Sequence, residues 1–163
     1  MAFPSSRTLN TLSLISIVII FAIIFYVEYV DGAIPCPLCM VQRAALIGFG
    51  AVIIVAGMHS PKRWGIYVYG ALMLLFSISG MLTAVRQLWI QSLPASQAPT
   101  TCGVDIYYLL QMLPFDKALM QIFNGTAECA QVTWSFLGLS MAAWSFISFV
   151  VFALLALRQF IRQ

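Results

Sequence analysis

Apolar residues are concentrated in four long runs, and polar or charged residues separate these runs from one another. A helix of about 20 residues is roughly 30 Å long, which matches the hydrocarbon core of a bilayer. All seven prolines lie outside the runs, so each run can form an unbroken helix that satisfies its backbone hydrogen bonds in lipid. We predict an all-α membrane four-helix bundle, a single integral membrane domain over residues 1–163. The predicted spans cover residues 12–30, 41–58, 65–85 and 136–157.

The amino-acid composition excludes a water-soluble domain. Apolar residues make up 62% of the chain and charged residues 8%, whereas soluble domains contain roughly 45–50% and about 25%. So little charge cannot cover a surface that faces water, and intrinsic disorder requires the opposite balance. The net charge of +3 is small and scattered, which argues against nucleic-acid binding.

The basic residues predict the orientation of the bundle. With four spans, both termini and the loop between the second and third spans share one side, and the loops 31–40 and 86–135 share the other. The first side carries five basic and no acidic residues. The second carries three basic and five acidic residues when Glu28 and Arg43, at the adjacent span ends, are counted with it. By the positive-inside rule, we expect both termini to be cytoplasmic. The five basic residues are Arg7, Lys62, Arg63, Arg158 and Arg162.

The long loop between the third and fourth spans contains a predicted surface helix. The loop first passes through a connector rich in Pro, Ser, Gln and Thr at residues 94–101, which is typical of a flexible segment. After Pro114, apolar residues recur at helical spacing. They are Phe115, Leu119, Ile122 and Phe123. We predict a short amphipathic helix that lies flat on the outer face of the membrane.

All four cysteines lie outside the predicted spans, on the side predicted to be non-cytoplasmic. They are Cys36, Cys39, Cys102 and Cys129. Cysteines that merely filled an apolar core would lie inside the helices. Disulfides persist on the outer side of a cell membrane, so this distribution favours disulfide chemistry. Four cysteines permit three pairings, which spacing alone leaves open.

The first two cysteines form a C-x-x-C motif at residues 36–39. A bridge within this motif closes a very small loop and adds little stability, whereas the spacing suits redox exchange. The motif directly precedes the second helix, whose positive N-terminal end favours a thiolate. Cys102 and Cys129 are equally consistent with a structural bridge that ties the long loop together.

A zinc site is the alternative interpretation of four cysteines. The C-x-x-C motif fits half of such a site. The other two cysteines do not form a second C-x-x-C motif, and the compartment is oxidising. These two facts favour redox chemistry, and we expect no metal.

Arg43 is the charged residue of greatest functional interest. It follows Cys39 by four positions and therefore lies one helical turn deeper on the same face. A cation that enters the apolar zone is costly and usually functional, so we expect Arg43 to face a ligand. The simpler alternative is that it extends back to the membrane surface. Glu28 lies near the outer end of the first span, and we expect it to be an interfacial carboxylate or a proton relay. Trp134 lies at a span end, where aromatic residues form an interfacial belt.

Taken together, the residues resemble the bacterial DsbB family of membrane disulfide-generating oxidases. The resemblance rests on the C-x-x-C-x-x-x-R element at residues 36–43, the paired loop cysteines, and the Trp-Ser-Phe-Leu-Gly-Leu segment at residues 134–139. It covers nearly the whole chain, including its length and four-span layout. The combination of elements is specific, whereas a C-x-x-C motif alone is not. The segment 102–129 differs in detail from familiar members, which leaves the partner preference open.

The resemblance implies an inner-membrane enzyme, a quinone-dependent oxidoreductase with periplasmic loops at residues 31–40 and 86–135. It implies two redox-active pairs, Cys36–Cys39 and Cys102–Cys129. A reduced periplasmic thiol oxidase of the DsbA type would attack Cys102, and the freed Cys129 would exchange with Cys36. Cys39 would then pass the electrons to ubiquinone or menaquinone, with Arg43 binding the quinone and stabilising the negative charge. This activity sustains disulfide bond formation.

Two other functions fit the pattern less completely. A quinone-linked enzyme of the vitamin K epoxide reductase type also pairs a C-x-x-C motif at the membrane edge with loop cysteines. The positions of the loop cysteines and Arg43 favour the DsbB type. A non-enzymatic membrane scaffold with two stabilising bridges is the alternative from a different class, and reduction would then lower its stability without affecting any turnover.

Overall fold

The computed structural model describes residues 6–32, 35–59, 63–94, 96–99, 111–132 and 134–161. Within these ranges, four helices are long and apolar enough to cross a membrane. The predicted all-α membrane four-helix architecture is therefore confirmed, together with a short helix between the third and fourth spans. Two of the charges used for orientation, Lys62 and Arg162, lie outside the described residues, and the orientation stays a prediction.

A short hairpin precedes the last long helix. Leu137 and Gly138 have positive φ angles of 53° and 77°, which is the conformation of a tight hairpin turn. The apolar run that starts at residue 136 therefore opens as a hairpin, and its helix begins only at Met141. The elements are α1 (Ser6–Tyr29), α2 (Pro37–His59), α3 (Arg63–Ser92), α4 (Phe115–Asn124), α5 (Ala127–Ala130), β1 (Ser135–Phe136), β2 (Leu139–Ser140) and α6 (Met141–Ile161).

Helix α3 continues about two turns beyond residue 85, where its predicted span ends. The sequence pattern indicated an end there because polar residues begin at Arg86. In the folded chain these side chains have partners, and Arg86 Nε donates to the carbonyl oxygen of Phe123 at 2.9 Å. The helix ends at Ser92, shortly before Pro94, which has no N–H to continue it. The extension carries Arg86 and its neighbours to the end of the bundle that holds the cysteines.

The bundle is packed most closely around α3, which lies against both α2 and α6. Phe49 of α2 stacks on Phe152 of α6 with ring centroids 4.8 Å apart, and both belong to the main apolar core with Met73 of α3. Helix α1 approaches its neighbours at far fewer positions. This loose packing leaves a groove between α1 and α6.

Helix α4 confirms the predicted amphipathic helix after Pro114. On the side that faces the bundle, Ile122 is buried against Leu38 and Ile90. On the outward side, apolar residues such as Phe115 are exposed. The inner contacts hold α4 over the start of α2, and the contact of the outer side with a membrane stays a prediction.

Gly80 allows α3 and α6 to approach each other closely. A methyl group at this position would overlap the ring of Phe149, which is fully buried. We expect Gly80→Ala to destabilise the fold by about 1–3 kcal/mol, the usual cost of overpacking a core. The midpoint of thermal unfolding in detergent measures the effect. Gly57→Ala is the matched control because a Cβ there meets no atom within 4 Å, and an equal loss in both variants would contradict the packing argument.

Candidate functional site

Three cysteines converge at one end of the bundle. The Sγ atoms of Cys36 and Cys39 lie 2.9 Å apart, and Cys36 belongs to the same buried cluster as Cys129. All three are free thiols in this structure. Cys102 lies outside the described residues, so its pairing with Cys129 stays a prediction, as does the Cys36–Cys39 disulfide of the oxidised protein.

Local backbone structure explains this convergence. Cys36 immediately precedes α2, and the backbone N–H of Cys39 in the first turn donates to Cys36 Sγ at 3.4 Å. Cys129 lies in the short helix α5, where its N–H donates to the carbonyl oxygen of Thr126 at 2.9 Å. Gly125, with a φ angle of 81°, turns the chain from α4 into α5. Two short segments that are distant in sequence therefore present their thiols to each other.

The thiols of Cys36 and Cys129 differ in acidity. Hydrogen bonding with Cys129 is the largest of the effects that raise the pKa of Cys36 well above its ordinary value. The same interaction, in which the Cys36 S–H donates to the Cys129 sulfur, lowers the pKa of Cys129 to about 6. Because the thiolate is the nucleophile in thiol chemistry, this interaction makes Cys129 the more reactive of the two thiols when both are reduced.

The acidity of Cys129 predicts a pH profile. In a reduced Cys39→Ser/Cys102→Ser variant, we expect the alkylation rate of Cys129 to be constant above pH 7 and to fall as the pH drops through about 6, the lowered pKa of Cys129, because protonation then removes the reactive thiolate. Mass spectrometry of the Cys129 peptide measures the rate. Adding Cys36→Ala removes the donor and should move the midpoint towards the ordinary pKa of 9.0. A midpoint near 9 before Cys36 is removed would contradict the assigned interaction.

Arg43 forms an ion pair that links α2 to α1. Its Nη2 atom lies 2.8 Å from Oε2 of Glu28, and both side chains are partly buried. The sequence did not reveal this partnership because the two residues belong to different helices. The pair keeps Arg43 beside the C-x-x-C motif and gives Glu28 a partner within the site.

Two buried glutamines complete the surroundings of Cys39. Gln87 Nε2 donates to Cys39 Sγ at 3.3 Å, and Gln42 Nε2 donates to Gln87 Oε1 at 2.9 Å. Only 5% of each glutamine is exposed. Sequence reasoning missed both residues. The sequence signal that could have found them is Gln42 near the start of one apolar helix and Gln87 near the end of another. A buried amide requires a hydrogen-bond partner, so two such residues can be expected to bond to each other.

The side chains around Cys39 line a cleft of about 70 Å³. This cleft adjoins an apolar groove of about 220 Å³ between α1 and α6. Ile24, Leu46 and Trp134 line both spaces, so Trp134 lies at the site as well as near a span end. The cleft is polar where it meets the thiols and apolar where it joins the groove. Its lining includes Glu28, Cys36, Cys39, Arg43, Gln87 and Trp134.

Comparisons with known proteins identify the family. The family model described as "Disulfide bond formation protein DsbB" matches residues 6–159. A protein of Stutzerimonas stutzeri named "Disulfide bond formation protein B" is 42% identical over 163 residues, which cover 100% of this chain and 99% of that protein. "Disulfide bond formation protein B 1" of Pseudomonas aeruginosa is 36% identical over the same shares of both chains. This chain therefore belongs to the DsbB family and is a multi-pass membrane oxidoreductase that forms disulfide bonds.

Proposed function

We propose that this protein is a quinone-dependent thiol oxidase of the bacterial inner membrane. It reoxidises a periplasmic dithiol oxidase of the DsbA type and passes the electrons to ubiquinone or menaquinone. The observation that carries the proposal is the cleft shared by Cys39 and Arg43, in which a thiol and a cation lie at the mouth of an apolar groove. A soluble electron acceptor would have no need of such a groove.

The residues of the cleft and groove fit a quinone. A bound quinone has polar ring oxygens and an apolar tail, and it takes up two electrons and two protons as it becomes a quinol. The Arg43 guanidinium can donate charge-assisted hydrogen bonds to a ring oxygen. Side chains of the groove, such as Ile20, Trp144 and Phe149, offer an apolar surface to the tail.

The thiols of the chain relay the electrons in steps. The soluble dithiol first reduces the Cys102–Cys129 disulfide. The Cys129 thiolate then attacks Cys36, so a Cys36–Cys129 bond forms, the Cys36–Cys39 bond breaks, and the electron pair leaves on Cys39. Attack of Cys102 on Cys129 restores the Cys102–Cys129 disulfide and leaves Cys36 and Cys39 reduced.

Re-formation of the Cys36–Cys39 disulfide completes the cycle and delivers two electrons and two protons to the acceptor. Arg43 stabilises the negative charge beside Cys39 during this step. The position of Cys129 and Cys36 in one buried cluster supports the proposed exchange between them. The role of Cys102 rests on the family resemblance, because this residue lies outside the described part of the chain.

The proposed orientation places both termini in the cytoplasm and the loops 31–40 and 86–135 in the periplasm. The excess of basic residues on the side of the termini supports it. The soluble partner and the loop cysteines then share a compartment. In intact spheroplasts, a membrane-impermeant thiol reagent should label the reduced cysteines. Labelling only after the membrane is breached would contradict this orientation.

Reconstitution with both proposed substrates tests the function. The purified protein receives a reduced DsbA-type partner and a ubiquinone analogue, and quinone absorbance and partner thiols are followed together. We expect one quinone to be reduced for each partner disulfide formed. Partner oxidation at the same rate without quinone would overturn the proposed acceptor. Quinone reduction at the same rate without the reduced partner would overturn the proposed donor.

A further inference from the structure

The Gln87 side chain contacts the Cys39 sulfur through both of its polar atoms. Nε2 donates to Cys39 Sγ at 3.3 Å, and Oε1 lies 3.7 Å from the same sulfur, where it can accept from the thiol. Gln42 Nε2 donates to Gln87 Oε1 at 2.9 Å. Because Oε1 must be the acceptor of this bond, Gln42 orients the Gln87 amide so that its N–H groups face the sulfur.

We infer that Gln87 is a catalytic residue that stabilises the Cys39 thiolate, and that Gln42 is the positioning residue that orients it. A thiolate that is partly removed from water requires hydrogen-bond donors to replace the lost water. Arg43 shares its charge with Glu28 in an ion pair. Because Gln87 Nε2 contacts the Cys39 sulfur itself, the neutral amide of Gln87 supplies stabilisation directly at the sulfur.

This role matters whenever charge develops on Cys39. When Cys129 attacks Cys36, the electron pair of the broken Cys36–Cys39 bond leaves on Cys39, and a stabilised leaving thiolate speeds such an exchange. The same thiolate is the electron donor in the next step. Only this second consequence rests on the proposed quinone function, since the hydrogen bond acts on the sulfur whether or not a quinone is present.

The test measures the reactivity of Cys39 alone, in full-length protein freed of quinone. Cys36→Ala, Cys102→Ser and Cys129→Ser leave Cys39 as the reactive thiol, and iodoacetamide alkylation is followed from pH 7 to pH 10.5. Gln87→Met keeps the length of the side chain and removes the donor. We expect alkylation to slow about tenfold at pH 7, as loss of one hydrogen bond to a charged group implies. The rates should converge at high pH, where the thiol ionises without help.

Gln91→Met is the matched control. Gln91 lies one turn further along α3 and accepts from Ser140 Oγ at 2.9 Å, so its loss should leave Cys39 alkylation unchanged. Gln42→Met should slow the reaction at pH 7 by a smaller factor, because Gln87 keeps its donor and loses only its orientation. If Gln87→Met does not fold, Gln87→Glu provides the same test, since a carboxylate of equal shape repels the thiolate.

Two results would overturn the inference. The first is equal alkylation in the parent and in Gln87→Met at pH 7. The second is a deficit that persists unchanged at pH 10.5, which would show that Gln87 controls access to Cys39 by packing. Neither result depends on quinone, so failure of the proposed electron acceptor would leave this test intact.

Discussion

Cys39→Ser is expected to stop quinone reduction, with turnover reduced by about a thousand-fold or more, because a serine hydroxyl cannot replace the reacting thiol. The same variant should accumulate a Cys36–Cys129 disulfide. Cys36 lies beside Cys129, so the unpaired Cys36 thiol can attack the Cys102–Cys129 disulfide and release Cys102. Quinone absorbance measures the first effect, and peptide mapping under non-reducing conditions measures the second.

Cys102→Ser separates the two halves of the relay. This variant should lose exchange with the soluble partner, yet its Cys36–Cys39 pair should still reduce quinone when a small dithiol supplies the electrons.

Normal quinone turnover in Cys39→Ser would show that the electrons leave through another thiol. Normal oxidation of the soluble partner by Cys102→Ser would remove Cys102 as the first point of attack.

Arg43→Ala is expected to weaken the quinone step by roughly ten- to a hundred-fold, the effect of losing one charge-assisted hydrogen bond of about 1.5–3 kcal/mol. Arg43→Lys should recover only part of this loss, because an ammonium does not reproduce the planar guanidinium that meets Glu28 at 2.8 Å. Steady-state rates across a quinone titration separate apparent affinity from turnover. Exchange between Cys129 and Cys36 should continue in both variants.

Glu28→Gln distinguishes a role at the quinone from a structural ion pair. If Arg43 only anchors α1 to α2, removal of either partner should cause the same loss. If Arg43 acts on the quinone, Glu28→Gln leaves the guanidinium in place and should cause the smaller loss. Unchanged quinone affinity and turnover in both Arg43 variants would show that Arg43 is an interfacial anchor with no role in the quinone step.

The sequence alone predicted the membrane architecture, because the features that specify it are local. Run length and the exclusion of proline predict the long helices, and the spacing of apolar residues after Pro114 predicts α4. The C-x-x-C motif and Arg43 occur within two helical turns, so the spacing along a single helix implies their proximity. Hydrophobic periodicity and helical geometry are sufficient for inferences of this kind.

Contacts between distant segments were decided only by the tertiary structure. Cys129 reaches Cys36 because α4 and α5 pack over the start of α2, and Arg43 meets Glu28 across a helix interface. Gln87 reaches Cys39 because α3 continues as a helix through a polar stretch whose side chains find partners on neighbouring elements. Local polarity predicts that such a helix ends, whereas packing satisfies its polar groups and lets it continue.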